Sequence, residues 1–140
     1  MKTLLPRTED TVAFGVSYAG RLERGDVVLL FGPLGAGKTT LASGLASGLG
    51  VSESVVSPTY TILEVYEGRW PVYHFDFYRL SDPAELRAID PREYYDLGIT
   101  IMEWPERVRA LWPVRRHELR LGFEEASRWV EAATLRVPSV

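Results

Sequence analysis

Residues 32–39 form the sequence Gly-Pro-Leu-Gly-Ala-Gly-Lys-Thr, which fits the Walker A pattern Gly-x-x-x-x-Gly-Lys-Ser/Thr. Glycines at this spacing let the backbone fold into a nest whose N–H groups point at one phosphate group. The segments on both sides of the motif fit such a loop, because the apolar run at residues 27–31 predicts a buried strand and residues 38–49 have helical spacing. The alternative is a glycine-rich turn with an exposed lysine, but a chance match rarely has both flanks. The motif therefore predicts a phosphate-binding loop between a strand and a helix.

Two side chains of this motif carry chemistry of their own. Lys38 would place a compact positive charge on the β- and γ-phosphates of a nucleotide, and the Thr39 hydroxyl would reach a Mg²⁺ ion. The chain has only two lysines, Lys2 and Lys38, against fourteen arginines. An arginine would be too bulky and too forked for the interior of such a loop, which explains why a lysine is kept here.

Composition limits the number of domains, the classes of protein and the kinds of site that the chain can have. A chain of 140 residues corresponds to one domain, residues 1–140, and it can build its own core. The net charge of −3 argues against a protein that wraps nucleic acid, and the absence of cysteine excludes disulfides and thiolate metal sites. The absence of asparagine and glutamine excludes a glutamine that orients water and an Asn-Lys-x-Asp loop that reads guanine. No apolar run is long enough to span a membrane and the first residues do not form a signal peptide, so we expect a cytoplasmic protein.

The rest of the chain alternates between helical and strand-like patterns. A helix is predicted over residues 8–22, where Val12, Val16 and Ala19 would share one face, and Leu41, Leu45 and Leu49 form the apolar stripe of the next helix. Another helix starts at residues 81–83, and the strand-like segments are 27–31, 60–66, 72–77, 99–102, 118–123 and 128–135. Leu119, Leu121 and Phe123 would face the same side. This order predicts an α/β fold, a three-layer sandwich like that of P-loop NTPases, with helices around a central mixed sheet.

A phosphate-binding loop of this kind needs a carboxylate at the end of a neighbouring strand to hold Mg²⁺. Asp76 and Glu103 both follow strand-like segments, and the sequence leaves both open. Residues 57–61 lie between the Walker helix and the next strand, where switch loops contact a γ-phosphate, although a plain Ser-Pro turn explains them as well.

For several other conspicuous residues, a structural role explains the sequence at least as well as a functional role does. His74 fits a strand histidine with a structural hydrogen bond. The aromatic residues at 73, 75, 77 and 78 fit the core and the sheet surface better than a platform for bases. The basic residues 115–117 fit a solvated turn better than an RNA site.

Four segments together resemble the TsaE (YjeE) family: residues 34–40, 57–61, 74–80 and 103–106, with the sequences LGAGKTT, SPTYT, HFDFYRL and EWPE. The resemblance runs from about residue 8 to residue 128. It implies a small P-loop ATPase of tRNA N6-threonylcarbamoyladenosine modification in bacteria. Such a protein assists TsaD-like and TsaB-like subunits of the threonylcarbamoyl-transferase complex and meets tRNA only through that complex.

The resemblance also implies a set of site residues. The phosphates of ATP would be bound by Gly35, Ala36, Gly37, Lys38, Thr39 and Thr40. Mg²⁺ would be held by Thr39 and Glu103. Asp76 would be a catalytic carboxylate and Thr61 a switch-loop contact. The nucleotide would further be lined by Thr8, Thr11, Trp104, Pro105, Glu106, Arg107 and Arg128.

Two other functions share these features. A small-molecule kinase uses the same loop but needs a lid with arginines, and the acidic segment 82–96 is poorly suited to that task. A nucleotide-regulated binding module would use ATP only to order residues 57–61. Transfer of phosphate to a metabolite, or the absence of hydrolysis with partner subunits present, distinguishes these alternatives from a slow ATPase.

Overall fold

The computed structural model describes residues 2–55, 62–82 and 84–136. In these residues the elements follow the order β1 (Lys2–Leu5), α1 (Thr8–Ala19), β2 (Val27–Phe31), α2 (Lys38–Gly48), β3 (Leu63–Glu67), β4 (Pro71–Asp76), α3 (Glu85–Ala88), β5 (Ile99–Glu103), β6 (Arg116–Glu124) and β7 (Ser127–Leu135). Two 3₁₀ helices lie at Pro91–Glu93 and Pro105–Leu111. The predicted order of strands and helices is confirmed, with β1 added at the start.

One seven-stranded sheet organises the described residues, with the strand order β1-β7-β6-β2-β5-β4-β3. The four inner strands β6, β2, β5 and β4 run parallel to one another, whereas β3, β7 and β1 join at the two sides as antiparallel neighbours. This arrangement confirms the mixed sheet. Because parallel strands end at the same edge, everything that follows the inner strands is gathered at one edge of the sheet.

The first face of the sheet is covered by α1 and α2. The predicted stripe of Leu41, Leu45 and Leu49 is confirmed, since each of these side chains is at most 1% exposed. They pack with apolar residues of β2, β5 and β6 into the larger of two hydrophobic clusters. Burial of α2 on its leucine face holds its N-terminus, and with it the phosphate-binding loop, against the carboxyl edge of the sheet.

The predicted apolar face of α1 is wrong in part. Val16 is 43% exposed, and the residues that α1 buries are Thr11, Gly15, Tyr18 and Ala19. The reason is the close approach of α2, because a Cβ on Gly15 would lie 2.7 Å from the backbone nitrogen of Leu45. The backbone of Val16 also lies at this crossing, since a Cβ on Gly48 would lie 3.0 Å from the Val16 Cα, and the approach is too close for α2 to cover the Val16 side chain. The helix α1 also ends at Ala19 instead of residue 22, and Gly20 occupies its C-cap.

The second face carries the smaller cluster, centred on Phe75, Phe77 and Met102. Among the residues that the structure describes, α3 and the two 3₁₀ helices cover this face and complete the three-layer arrangement. Phe123 departs from the prediction, because it lies next to the last residue of β6 and is 52% exposed, unlike the buried Leu119 and Leu121. None of the helices in residues 2–55, 62–82 and 84–136 combines the length and the apolar character needed to cross a membrane.

Candidate nucleotide site

A cavity of about 790 Å³ opens at the carboxyl edge of the sheet. Residues from β4, β5, β7, α1, α2 and the loop before α2 contribute to its wall. The lining residues are Thr8, Thr11, Leu34, Gly35, Gly37, Lys38, Thr39, Thr40, Ile62, Asp76, Tyr78, Arg79, Glu85, Glu103, Trp104 and Arg128. Eleven of the residues predicted from the sequence are therefore brought together in one cavity.

The glycine-rich loop of residues 32–37 connects β2 to α2, as predicted. Gly37 is the N-cap of α2 and has a φ of 100°, a left-handed conformation that side chains rarely adopt. Gly32 has a φ of 152°, and a Cβ on it would lie 2.7 Å from the carbonyl oxygen of Leu121. These constraints explain the glycines of the motif. Gly37, Lys38 and Thr39 at the start of α2 line the cavity, where the helix dipole favours an anion.

Lys38 is nearly buried and points back along this loop. Its Nζ donates a hydrogen bond to the carbonyl oxygen of Gly32 and lies 3.5 Å from the centre of the Trp104 ring. Burial lowers the pKa of the Lys38 ammonium, and the charge of Glu103 opposes this effect most strongly. An anion entering the cavity would therefore meet a partly desolvated cation, whose attraction to phosphate is stronger than in water.

Trp104 holds its position through a strained backbone. Its φ and ψ are 55° and 47°, which is a left-handed conformation for a bulky residue, at the N-cap of the second 3₁₀ helix. This turn directly after β5 places the indole over Lys38 and against the Tyr78 ring, with 4.9 Å between the two ring centres. The strain lies at the site, where the surrounding packing compensates for it.

Thr39 and Glu103 meet although 64 positions separate them. The Thr39 hydroxyl lies 3.0 Å and 3.1 Å from the two carboxylate oxygens of Glu103, to which it donates. Glu103 also accepts a hydrogen bond of 2.6 Å from Nε2 of His74, and both of these side chains are buried. A hydroxyl and a carboxylate facing one cavity are hard oxygen ligands of the type that Mg²⁺ prefers.

Asp76 lies beside this pair at the end of β4. It is paired with Glu103 in the register of β4 and β5, and its Oδ1 accepts a hydrogen bond of 3.0 Å from the backbone nitrogen of Tyr78. Both carboxylates that the sequence left open therefore line the cavity. Only Glu103 is hydrogen-bonded to Thr39, which favours Glu103 as the metal ligand and leaves Asp76 at the neighbouring position.

Arg128 reaches the cavity from β7. Its guanidinium carbon lies 5.6 Å from the centre of the Phe123 ring, and its side chain passes close to Gly37. The Nε atom of Arg128 is buried and has no hydrogen-bond partner among the described residues. A buried cationic donor without a partner is costly, so this atom marks a place where an anionic ligand would be stabilised.

The other predicted residues lie elsewhere. Ala36 is buried beneath the loop, and Pro105 accepts a hydrogen bond from the Trp112 indole at 2.9 Å. Glu106 lines a separate, smaller cavity, while Arg107 is exposed and donates to the carbonyl of Leu80 at 3.4 Å. None of these four lines the large cavity. Thr61, together with the rest of the expected switch loop from residue 57, lies outside the described residues.

Sequence reasoning assigned no site role to five of the lining residues, which are Leu34, Ile62, Tyr78, Arg79 and Glu85. Tyr78 was expected in the core or on the sheet surface, yet it is 42% exposed and lines the cavity. The signal for Tyr78 and Arg79 was their place directly after the strand that ends in Asp76, since residues following a parallel strand lie at the carboxyl edge. His74 was expected to have a structural role, and only the structure reveals its contact with Glu103.

Comparison with known proteins identifies the family of this chain. The family model described as "Threonylcarbamoyl adenosine biosynthesis protein TsaE" matches residues 5–130. The chain belongs to the TsaE family. Two similar relatives are both named tRNA threonylcarbamoyladenosine biosynthesis protein TsaE. The one from Synechocystis sp. is 44% identical, and the match covers 79% of this chain and 74% of the relative. The one from Bacillus subtilis is 39% identical, and the match covers 89% of this chain and 83% of the relative.

A solved member of similar shape supports the fold. The crystal structure of Bacillus subtilis YdiB superposes with a TM-score of 0.78 and 29% sequence identity, and the match covers 96% of this chain and 84% of that chain. The α/β architecture with its mixed sheet is therefore shared with a solved structure. The family model includes all cavity residues from Thr8 to Arg128.

Proposed function

We propose that this TsaE family member hydrolyses ATP in the biosynthesis of tRNA N6-threonylcarbamoyladenosine. The observation that carries the proposal is the convergence of Lys38, Thr39 and Glu103 in one cavity at the N-terminus of α2. A loop with anion-binding N–H groups, a buried ammonium and a hydroxyl–carboxylate pair is what a metal-bound triphosphate requires.

The site fits Mg²⁺ through the chemistry of its donors. Thr39 and Glu103 would hold the ion, which would neutralise charge on the β- and γ-phosphate oxygens when bound. Two protein ligands are typical for this ion, because it keeps water and substrate phosphates as its other ligands. The hydrogen bond between Thr39 and Glu103 already brings the two oxygen donors together.

The protein's own groups would act in a defined order. The Lys38 ammonium would leave the Gly32 carbonyl and the Trp104 ring and bind the phosphates, where its charge stabilises the transition state. The Asp76 carboxylate would orient the attacking water, and Arg128 would donate its unpartnered N–H to the nucleotide. The loop containing Thr61 would respond to loss of the γ-phosphate and change the surface offered to partners.

The partners we propose are TsaD-like and TsaB-like subunits of a threonylcarbamoyl-transferase complex. The chain has a net charge of −3, so we expect the affinity for tRNA to come from the other subunits. Tight binding of tRNA by the isolated chain at physiological salt would contradict this division of roles. Without a glutamine to orient water, we also expect slow hydrolysis by the chain alone and stimulation by its partners.

A substitution of the Walker lysine tests the proposal. Lys38→Ala should lower the rate of ATP hydrolysis by about 30-fold to 1,000-fold, which corresponds to about 2–4 kcal/mol of lost transition-state stabilisation. Co-purification with the partner subunits should persist. Lys2→Ala is the matched control, because Lys2 lies over the Trp129 ring outside the cavity and is the only other lysine.

The measurement is phosphate release with and without the TsaD-like and TsaB-like subunits, with product analysis in a metabolite mixture. Phosphate transferred to a metabolite instead of water would favour the small-molecule kinase. ATP binding without hydrolysis, even with both subunits present, would favour the nucleotide-regulated binding module. Equal rates for Lys38→Ala and Lys2→Ala would refute a catalytic role for the cavity.

A further inference from the structure

His74 contacts the candidate nucleotide site from the protein interior. It lies in the middle of β4, is 1% exposed and does not line the cavity. In the register of β4 and β5 it is paired with Ile101, two residues before Glu103. Its Nε2 lies 2.6 Å from Oε2 of Glu103, which is a short, charge-assisted hydrogen bond. The imidazole therefore contacts the candidate metal ligand from within the sheet layer.

The carboxylate of Glu103 is held from two sides. Thr39 approaches it from the cavity, and His74 approaches it from the protein interior. The Thr39 hydroxyl keeps two lone pairs beside the proton that it donates, so its contact with the carboxylate lies where a cation could also bind. The contact with His74 lies on the interior side of the carboxylate, since His74 does not line the cavity. It can stay in place when a cation enters the cavity.

The surroundings of the ring indicate which nitrogen carries the proton. A carboxylate oxygen only accepts hydrogen bonds, so Nε2 of His74 must be the donor. The other nitrogen, Nδ1, is buried and has no hydrogen-bond partner among the described residues. A buried lone pair costs less than a buried N–H without an acceptor, and this favours the Nε2–H tautomer. A ring with a single partner cannot pass a proton onward, so its effect is to orient.

We infer that His74 is a positioning residue of this site: its Nε2–H keeps the Glu103 carboxylate turned toward Thr39, ready to take a divalent cation with the nucleotide. The inference rests on the proposed function, because it assigns His74 a role toward the Mg²⁺ that accompanies ATP. Partners that orient a metal ligand from outside the ligand shell typically change metal affinity by about 10-fold to 100-fold when they are removed.

Two substitutions at one position separate positioning from packing. In His74→Gln the amide nitrogen reaches about as far from the backbone as Nε2 does, so it can still donate to Glu103. In His74→Asn the amide ends at the level of Nδ1 and cannot reach the carboxylate. Both variants place an amide at the same buried position. The comparison between them therefore controls for the cost of burying a polar group.

The measurement is the affinity for ADP by calorimetry, with Mg²⁺ and with chelator, on the intact chain. We expect His74→Asn to reduce the Mg²⁺-dependent gain in affinity by about 10-fold to 100-fold and to leave metal-free affinity unchanged. His74→Gln should recover most of that gain. Equal gains in wild type and His74→Asn, or equal losses in the two variants, would overturn the inference while leaving nucleotide binding intact.

A spectroscopic measurement on the wild-type chain covers the case in which the variants do not fold. The chain has two histidines, so nitrogen NMR of the side chains gives two ring patterns, and His117→Gln identifies the other one. We expect the Nε2–H pattern for His74, and an Nδ1–H pattern would overturn the inference. Failure of the wild-type chain to bind ADP with or without Mg²⁺ would refute the proposed function, and this inference with it.

Discussion

The crossing of α1 and α2 offers a sharp test of how packing supports the site, through Gly44→Ala. A Cβ on Gly44 would lie 2.4 Å from the carbonyl oxygen of Val12 and 3.1 Å from its Cα. Ordinary contacts begin near 3.4 Å, so the two helices must separate by about 1 Å to admit the methyl group. The opposing atoms belong to the backbone, which cannot move aside by changing a rotamer.

The magnitude follows from two opposing terms. Overpacking of a tight contact costs about 1–3 kcal/mol, and the rigid backbone places this contact at the upper end. Replacement of glycine by alanine within a helix returns about 1 kcal/mol through helix propensity. The expected net loss in the free energy of unfolding is therefore about 2 kcal/mol. For a domain of this size that corresponds to a decrease in melting temperature of about 6–8 °C.

Thermal unfolding monitored by circular dichroism measures this loss, and Ser47→Ala is the control because Ser47 lies on the exposed side of the same helix. We expect the control to unfold within about 2 °C of wild type. ADP affinity should also fall in Gly44→Ala, since Thr11 of α1 and Thr39 of α2 line the same cavity. A melting temperature for Gly44→Ala equal to or above that of the control would refute the tight crossing.

Three further predictions concern single side chains. Glu103→Gln should weaken the Mg²⁺-dependent part of ADP affinity more than Asp76→Asn does, and the reverse order by calorimetry would assign the ligand role to Asp76. Arg128→Gln should weaken ADP affinity by about 10-fold to 100-fold, because a charge-assisted hydrogen bond contributes about 1.5–3 kcal/mol. Unchanged binding would place the nucleotide away from β7. Burial lowers the pKa of His117 from its ordinary value of 6.5, so the unfolded chain binds more protons and stability should fall as the pH decreases through that value. Melting temperatures from pH 8 to pH 5 check this, and His117→Gln should flatten the decrease, whereas an equal slope would assign it to another group.

The local elements were predictable because their signals lie within a few residues. The apolar run of β2, the leucine spacing of α2 and the glycines of the loop each place strong steric or burial constraints on a short segment. The same reasoning failed where a neighbour decided the outcome. Val16 is exposed because α2 packs too closely against its backbone to cover its side chain, and β1 forms because β7 offers an edge with which four residues can pair.

The site was predictable only in its parts. The motif identified Lys38 and Thr39, and the strand ends identified Asp76 and Glu103 as two candidates of equal standing. The structure gives them different surroundings, because Glu103 accepts a hydrogen bond from the Thr39 hydroxyl and Asp76 accepts one from the backbone of Tyr78. The contact of His74 with Glu103 had no sequence signal of its own, since a histidine within a strand is equally compatible with a purely structural hydrogen bond.

The local sequence specifies the conformation of the loop between β2 and α2, because left-handed glycines and a lysine at a set spacing are demands that a few adjacent residues meet alone. Which distant groups surround that loop depends on the tertiary packing. The distance between Thr39 and Glu103, and the position of Arg128 beside Gly37, depend on the order and register of strands from separate parts of the chain. Those relations arise from burial shared among all the elements, and no single segment encodes them.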